Sequence, residues 1–262
     1  MKYVSVEEMV RIEKESDARG HTYPEMMEHA GRGLAEIVHQ EYAHLDPRRV
    51  LALVGPGNNG GDALVALDYL ASWGWSCTAL FVGSREEDDP LVERVREAGG
   101  QLLLPGELGQ PSDVVELLSS MEVVLDGVLG TGIRLPVRGE IKENLDRFKE
   151  ALAEMDHPTD VVAVDCPSGV DSDSGDVDPV TIPARITVTM AAVKQGLLKF
   201  PAFKYVGDLR TVDIGLPPGL EAVQAVQREV IFPDWVRARF PARPRDSHKG
   251  TFGTVMVIAG SV

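Results

Sequence analysis

The sequence predicts an α/β fold, a three-layer sandwich in which a mostly parallel central sheet carries helices on both faces. Three observations point to it. From residue 49 onward, strand-like and helix-like segments alternate. The strands are continuous apolar runs such as Val161-Val162-Ala163-Val164, not alternating ones, which indicates cover on both faces. The first of them, Val50 to Val54, runs directly into a glycine- and amide-rich turn that opens a helix, as in a Rossmann-like βα unit.

Ahead of this alternation, Ser5 followed by Glu8 makes a capping-box pattern, and Met9, Ile12 and Glu13 continue a helical period toward Gly20. A second helix is expected from about Pro24 to Tyr42, with Met26, Met27, Ala30, Leu34, Ile37 and Val38 on its apolar side. Then follow strand Val50 to Val54, helix Ala63 to Trp73, strand Cys77 to Val82, helix Pro90 to Ala98 capped by Asp89, and a short strand Gln101 to Leu104. Helix Asp113 to Ser119, strand Val123 to Leu125, helix Glu140 to Met155 and strand Val161 to Val164 come next. Ile186 to Met190 and Leu209 to Val212 extend the same sheet. After a first domain at 1–232, the proline- and arginine-rich stretch 233–247 reads as a linker. Thr254 to Ala259 reads as a lone strand, which cannot bury itself: either it joins the first sheet, or residues 248–262 begin a second domain.

Composition narrows the function classes. The chain of 262 residues carries 41 acidic and 26 basic side chains, a net charge of −15 that repels nucleic-acid backbone and anionic membrane. No basic patch offsets it. Neither a secretory leader nor an apolar run of roughly 20 residues is present, so a soluble cytoplasmic protein is expected. Cys77 and Cys166 sit in or beside apolar strands and are expected as buried thiols. The six histidines lack zinc spacing and there is no Cys-x-x-Cys, which argues against a transition-metal site.

Gly55-Pro56-Gly57-Asn58-Asn59-Gly60 satisfies G-x-G-x-x-G, and side-chain-free residues at a helix start let backbone N–H groups approach a phosphate. A dinucleotide site also needs an acid after the next strand, yet that strand ends Phe81-Val82-Gly83-Ser84-Arg85, with no acid until Glu86. A plainer account is that Asn and Gly permit left-handed backbone while Asn59 or Asp62 caps the helix. Two further strands finish in aspartates, Asp126 and Asp165. In a parallel sheet both must converge with the 58–62 turn on one edge, where ligands bind. After Asp126, residues 127–139 form a second glycine-rich stretch that can present N–H donors together with Arg134 and Arg138. Asn59, Asp126 and Ser168 together offer the carbonyl, carboxylate and hydroxyl oxygens that hard cations prefer. The Asp171 to Asp176 segment places its glycine one position early for a calcium loop and reads as an acidic surface turn. Ser168 lacks the G-x-S-x-G elbow of a hydrolase nucleophile.

Taken in order, these motifs resemble the NAD(P)H-hydrate epimerase family. The resemblance runs over about residues 3–215 and rests on Met26 to Gly31, Gly57 to Asp62, Asp126 with Gly130 to Pro136, Val164 to Asp171, and Lys194-Gln195-Gly196 before Tyr205-Val206-Gly207. His248 to Ser261 is similar to the opening of the family's partner domain, a ribokinase-like dehydratase that uses ADP or ATP. The resemblance implies epimerisation of hydrated NADH and NADPH (NADHX and NADPHX). It implies that Asn58, Asn59, Gly60, Gly61 and Asp62 hold the nucleotide together with Gly130, Thr131, Gly132, Ile133, Arg134, Leu135 and Pro136. Potassium would be bound by Asn59, Asp126 and Ser168, and Asp165 would face the substrate as the acid/base group. A homodimer or higher homo-oligomer is implied as well. His29 and Ala63 depart from the asparagine and glycine common in the family.

Two other readings compete. One is an NAD(P)-dependent oxidoreductase using the turn as a dinucleotide site; the other is a noncatalytic scaffold of the same fold, as in RNA-decay factors. The acidic balance and the intact Asn58 to Asp62 and Asp165 favour the enzyme.

Overall fold

The computed structural model describes residues 1–85, 88–240, 244–248, 250–257 and 259. The chain starts with a two-residue strand, β1 (Tyr3–Val4), and helix α1 (Val6–Ala18), whose capping box pairs Ser5 with Glu8 as the sequence predicts. Helix α2 (Tyr23–Tyr42) follows, closed at its start by a second capping box between Thr22 and Glu25.

The alternating region gives β2 (Arg49–Val54), α3 (Asn58–Ser72), β3 (Ser76–Phe81), α4 (Pro90–Glu97), β4 (Gln101–Leu103), α5 (Pro111–Ser119), β5 (Val123–Gly127), α6 (Gly139–Glu154) and β6 (Asp160–Val164). Next come β7 (Ile186–Met190), the short β8 (Val193–Lys194), a 3-10 turn at Gln195–Leu198, α7 (Phe203–Val206), β9 (Asp208–Val212), α8 (Glu221–Ala225) and α9 (Pro233–Arg237). Two expectations differ from this. Helix α3 begins at Asn58 and not at Ala63, because Gly57 takes an extended N-cap conformation and the amide-glycine run winds at once into the first helical turn. Residues 254–257 form no strand and are exposed; Ile258, Gly260, Ser261 and Val262 lie outside the described residues.

Among the described residues, seven strands make one parallel sheet in the order β4-β3-β2-β5-β6-β7-β9. The chain moves outward from β2 to β4, then returns to β5 beside β2 and proceeds the other way. That reversal opens a crevice beyond the carboxyl ends of β2 and β5. Register places Leu53 opposite Asp126 and Val54 opposite Gly127, so the 55–59 turn lies directly against the end of β5.

Successive strand residues feed two cores. Val50, Ala52 and Val54 pack with Leu34 of α2 and with Leu64, Leu67 and Leu70 of α3. Leu51 and Leu53 pack on the other face with Leu118 of α5 and with Leu145 and Phe148 of α6. All of these side chains are buried, which is why the strands read as unbroken apolar runs. Each buried valine, leucine or phenylalanine among them contributes roughly 1.5–3 kcal/mol.

Candidate active site

A cleft of about 840 Å³ opens at the carboxyl edge of the sheet and is lined by Asn58, Asn59, Asp62, Asp165 and Lys194, among others. One wall is the start of α3. Its first helical bond runs from the Gly61 N–H to the Gly57 carbonyl at 3.2 Å, so the amides of Asn58, Asn59 and Gly60 precede the hydrogen-bond ladder and are available to an anion. Neither Asn59 nor Asp62 caps the helix, and residues 57–61 adopt no positive φ; the N-cap is Gly57, without a side-chain bond. Tight packing explains the glycines instead. A Cβ on Gly55 would lie 1.8 Å from the Val128 carbonyl oxygen, and one on Gly60 would lie 2.1 Å from that of Gly55. Arg85 secures the turn from outside, donating to the Gly55 carbonyl at 2.9 Å while its Nε holds Asp89 at 2.5 Å. It follows the strand where a dinucleotide site would keep its ribose acid.

Beneath this turn lies a polar knot. Asp126 is buried; its Oδ1 accepts from Ser168 Oγ at 2.5 Å and its Oδ2 from the Ser168 amide at 2.8 Å. Ser168 Oγ also accepts from the Leu129 amide at 2.8 Å. Burial raises the proton affinity of Asp126, against the opposing pull of the Ser168 bonds. Asn59 is buried too, and both polar atoms of its amide lack a hydrogen-bond partner. An orphaned amide costs about 1–3 kcal/mol, a cost that a bound water, ion or polar ligand group would offset.

Asp165 also lines the cleft; it follows β6 with φ of +64°. Aspartate tolerates this left-handed region better than most residues, and such conformations cluster at functional sites. Asp165 Oδ1 accepts from the Met190 amide at 2.9 Å, from Thr189 Oγ1 at 3.1 Å and from Lys194 Nζ. Lys194 is 1% exposed and spends its remaining donors on the Met190 carbonyl at 2.8 Å and Thr189 Oγ1 at 3.2 Å. Among the described residues, every donor to this carboxylate goes to Oδ1, which leaves Oδ2 without one. Lys194 is placed by β8, which pairs in parallel with β1 through Tyr3↔Val193 and Val4↔Lys194.

Gly130, Thr131, Gly132 and Ile133 line the cleft, whereas Arg134, Leu135 and Pro136 are not part of its lining and Arg134 is exposed. Gly60 and Gly61 are buried inside α3. Asp126 and Ser168 are not part of the lining; Ser168 is tied to it through the amide of Leu129, which is. Lys194 and Glu13 also line the cleft; the sequence named them only within a family motif and a helical period and gave them no role in the site. Each had a signal: a lysine amid Ala192, Val193 and Leu197, and a glutamate in phase with the apolar Met9 and Ile12. Burial raises the proton affinity of Glu13, with Lys194 opposing and Asp165 adding to it. For Asp62 burial acts still more strongly, Asp165 and Glu13 reinforce it, and Lys194 opposes. Among the described residues, no three or more His, Cys, Asp or Glu come together as a metal site.

The family model described as YjeF-related protein N-terminus matches residues 24–196. A protein of Moorella thermoacetica named bifunctional NAD(P)H-hydrate repair enzyme Nnr is 34% identical over 244 residues, covering 90% of this chain and 44% of the relative. Proteins of the same name from Methanopyrus kandleri and Escherichia coli are each 32% identical, covering 99% and 95% of this chain but 49% and 46% of the relatives. The chain thus spans about half the length of the curated relatives it matches. The crystal structure of the yeast protein ynu0 is similar in fold, with a TM-score of 0.68 at 22% identity over 81% of this chain and 88% of that one.

Proposed function

Starting from the fact that the chain belongs to the YjeF-related protein N-terminus family, we propose that it epimerises the R and S forms of hydrated NADH and NADPH. The observation that carries this reading is one cleft holding both an anion-binding helix start and an aspartate with a free oxygen. A dinucleotide supplies the phosphates for the first; the hydroxyl-bearing carbon of its damaged ring meets the second.

Inverting that carbon requires losing and regaining its hydroxyl. The enamine nitrogen of the ring can expel the oxygen once it is protonated, giving a conjugated iminium that water re-enters from the other face. Asp165 is the acid/base group, since it lines the cleft and its Oδ2 takes no donor while Lys194, Thr189 and the Met190 amide fix its Oδ1. The Asn58 to Asp62 turn and the Gly130 to Ile133 loop position the nucleotide.

Potassium fits Asn59, Asp126 and Ser168, whose oxygens suit a hard cation and of which Asn59 carries an orphaned buried carbonyl oxygen. Bound there, a monovalent ion would order the turn and loop against each other. The reading further holds that the chain acts in the cytoplasm as a homodimer or higher homo-oligomer. It also holds that residues 248–262 lead into a dehydratase half that acts on the S form with ADP or ATP. Among the described residues, no helix is long and apolar enough to cross a membrane.

The test is incubation of the chain with one resolved hydrate epimer, with and without potassium, followed by chromatography. Appearance of the other epimer faster than in buffer supports the reading. An unchanged epimer ratio defeats it.

A further inference from the structure

Three carboxyl groups and one ammonium line the cleft within electrostatic reach of one another: Glu13 from α1, Asp62 from the first turn of α3, Asp165 after β6 and Lys194 on β8. Only one of the three acids is paired. Lys194 gives its donors to Asp165, Thr189 and the Met190 carbonyl, while Glu13 and Asp62 have neither a hydrogen bond nor an ion pair among the described residues. The other charges along the cleft are already matched. Arg94 of α4 is held by Glu28 and Asp68, and Arg85 by Asp89.

We propose that Asp62 is a second proton-transfer residue of the site, working across the reacting carbon from Asp165. This rests on the epimerase reading. The chemistry of inversion asks for it: one face must protonate a departing oxygen and the other must take a proton from an arriving water. Asp62 and Asp165 come from different elements of the cleft and meet that need without either group having to turn over. Burial first, and then the Asp165 and Glu13 carboxyls against the single Lys194 ammonium, strengthen the hold of this unpaired acid on its proton.

In the forward step the Asp62 carboxyl proton passes to the substrate hydroxyl, the C–O bond breaks with its electron pair on oxygen, and water leaves. The ring nitrogen lone pair forms the C=N bond. Water then adds to the opposite face, its oxygen forming the new C–O bond while its proton goes to Asp165. Asp62 is left as a carboxylate beside the transient cation, which it stabilises. Solvent returns a proton to Asp62 and removes one from Asp165 before the next turnover. Glu13 adds to the effects of burial and of Asp165 in tightening Asp62's hold on its proton, and Lys194 opposes them.

The experiment uses the intact chain, each pure epimer of hydrated NADH, and Asp62→Asn, Asp165→Asn and Glu13→Gln variants, with rates taken across pH. Isotope-edited infrared spectra of the free proteins are recorded in parallel. Asp62→Asn is expected to lose about 10²–10⁴-fold in rate in both directions. The wild-type rate is expected to fall at high pH, and Glu13→Gln should move that fall to lower pH. The infrared spectrum should show a protonated carboxyl at neutral pH that persists in Glu13→Gln and vanishes in Asp62→Asn. Should Asp62→Asn fail to fold, the Glu13→Gln profile and its infrared band decide. Wild-type rates in Asp62→Asn, or no protonated carboxyl, overturn the proposal while leaving the epimerase reading in place. A wild-type chain that does not epimerise overturns both.

Discussion

Replacing Lys194 with methionine tests the energetics of the site most directly, because the side chain keeps its length and loses its charge. Lys194 Nζ makes three contacts, to Asp165, Thr189 and the Met190 carbonyl, and the residue is 1% exposed. Breaking a buried ion pair by removing one partner costs about 3–5 kcal/mol, since the remaining charge is left uncompensated. Here Asp165 keeps two donors, Thr189 Oγ1 and the Met190 amide, and 13% of its side chain reaches the cleft. The low end therefore applies, about 3 kcal/mol. For a domain of this size that corresponds to a fall in Tm of about 6–12 °C. Urea unfolding followed by circular dichroism measures the loss. Adding Asp165→Asn to Lys194→Met should recover much of it, because no unpaired charge then remains. A single variant within about 0.5 kcal/mol of wild type, or a double variant destabilised by the sum of the two, would refute the reasoning.

Asp62 holds its proton more tightly when folded than when unfolded, so the stability it contributes is complete below about pH 3.8 and is lost as pH rises through its folded value. Asp62→Asn should therefore flatten the decline in Tm between acid and neutral pH, and an unchanged slope in calorimetry would count against the shift. Gly60→Ala puts a methyl 2.1 Å from the Gly55 carbonyl oxygen, where only backbone can move; a loss of about 1–3 kcal/mol or more is expected in the same urea assay. Cys166 is a free thiol whose pKa burial pushes up to about 12, so it should react with a thiol reagent only upon unfolding, and fast labelling of the native chain would show the site to be open. Potassium chloride should raise the Tm above that in sodium chloride for the wild type and not for Asn59→Ala; equal shifts in both proteins would remove Asn59 from the cation site.

The sheet was legible because its strands are covered on both faces and therefore spell themselves as unbroken apolar runs, Val50 to Val54 and Val161 to Val164 among them. Asp126 and Asp165 could be placed on a common edge for a geometric reason, since every parallel strand ends on the same side. What did not show was pairing between distant short segments. β1 and β8 are two residues each, too short for any periodicity, yet they decide where Lys194 points. The start of α3 was misplaced because glycine and asparagine are poor helix formers, and tight contacts with Gly55 and with Met27 of α2 override that propensity.

The pairing of Val4 with Lys194 also has a temporal side. During synthesis at about 5–20 residues per second, the first strand leaves the ribosome roughly 10–40 s before its mate has been translated. Until then the amino-terminal segment has no ladder to join and the lysine's berth does not exist. The cleft is thus among the last features a nascent chain can complete, and a stalled product ending short of residue 194 would carry most of the sheet with a carboxylate that still lacks its counter-ion.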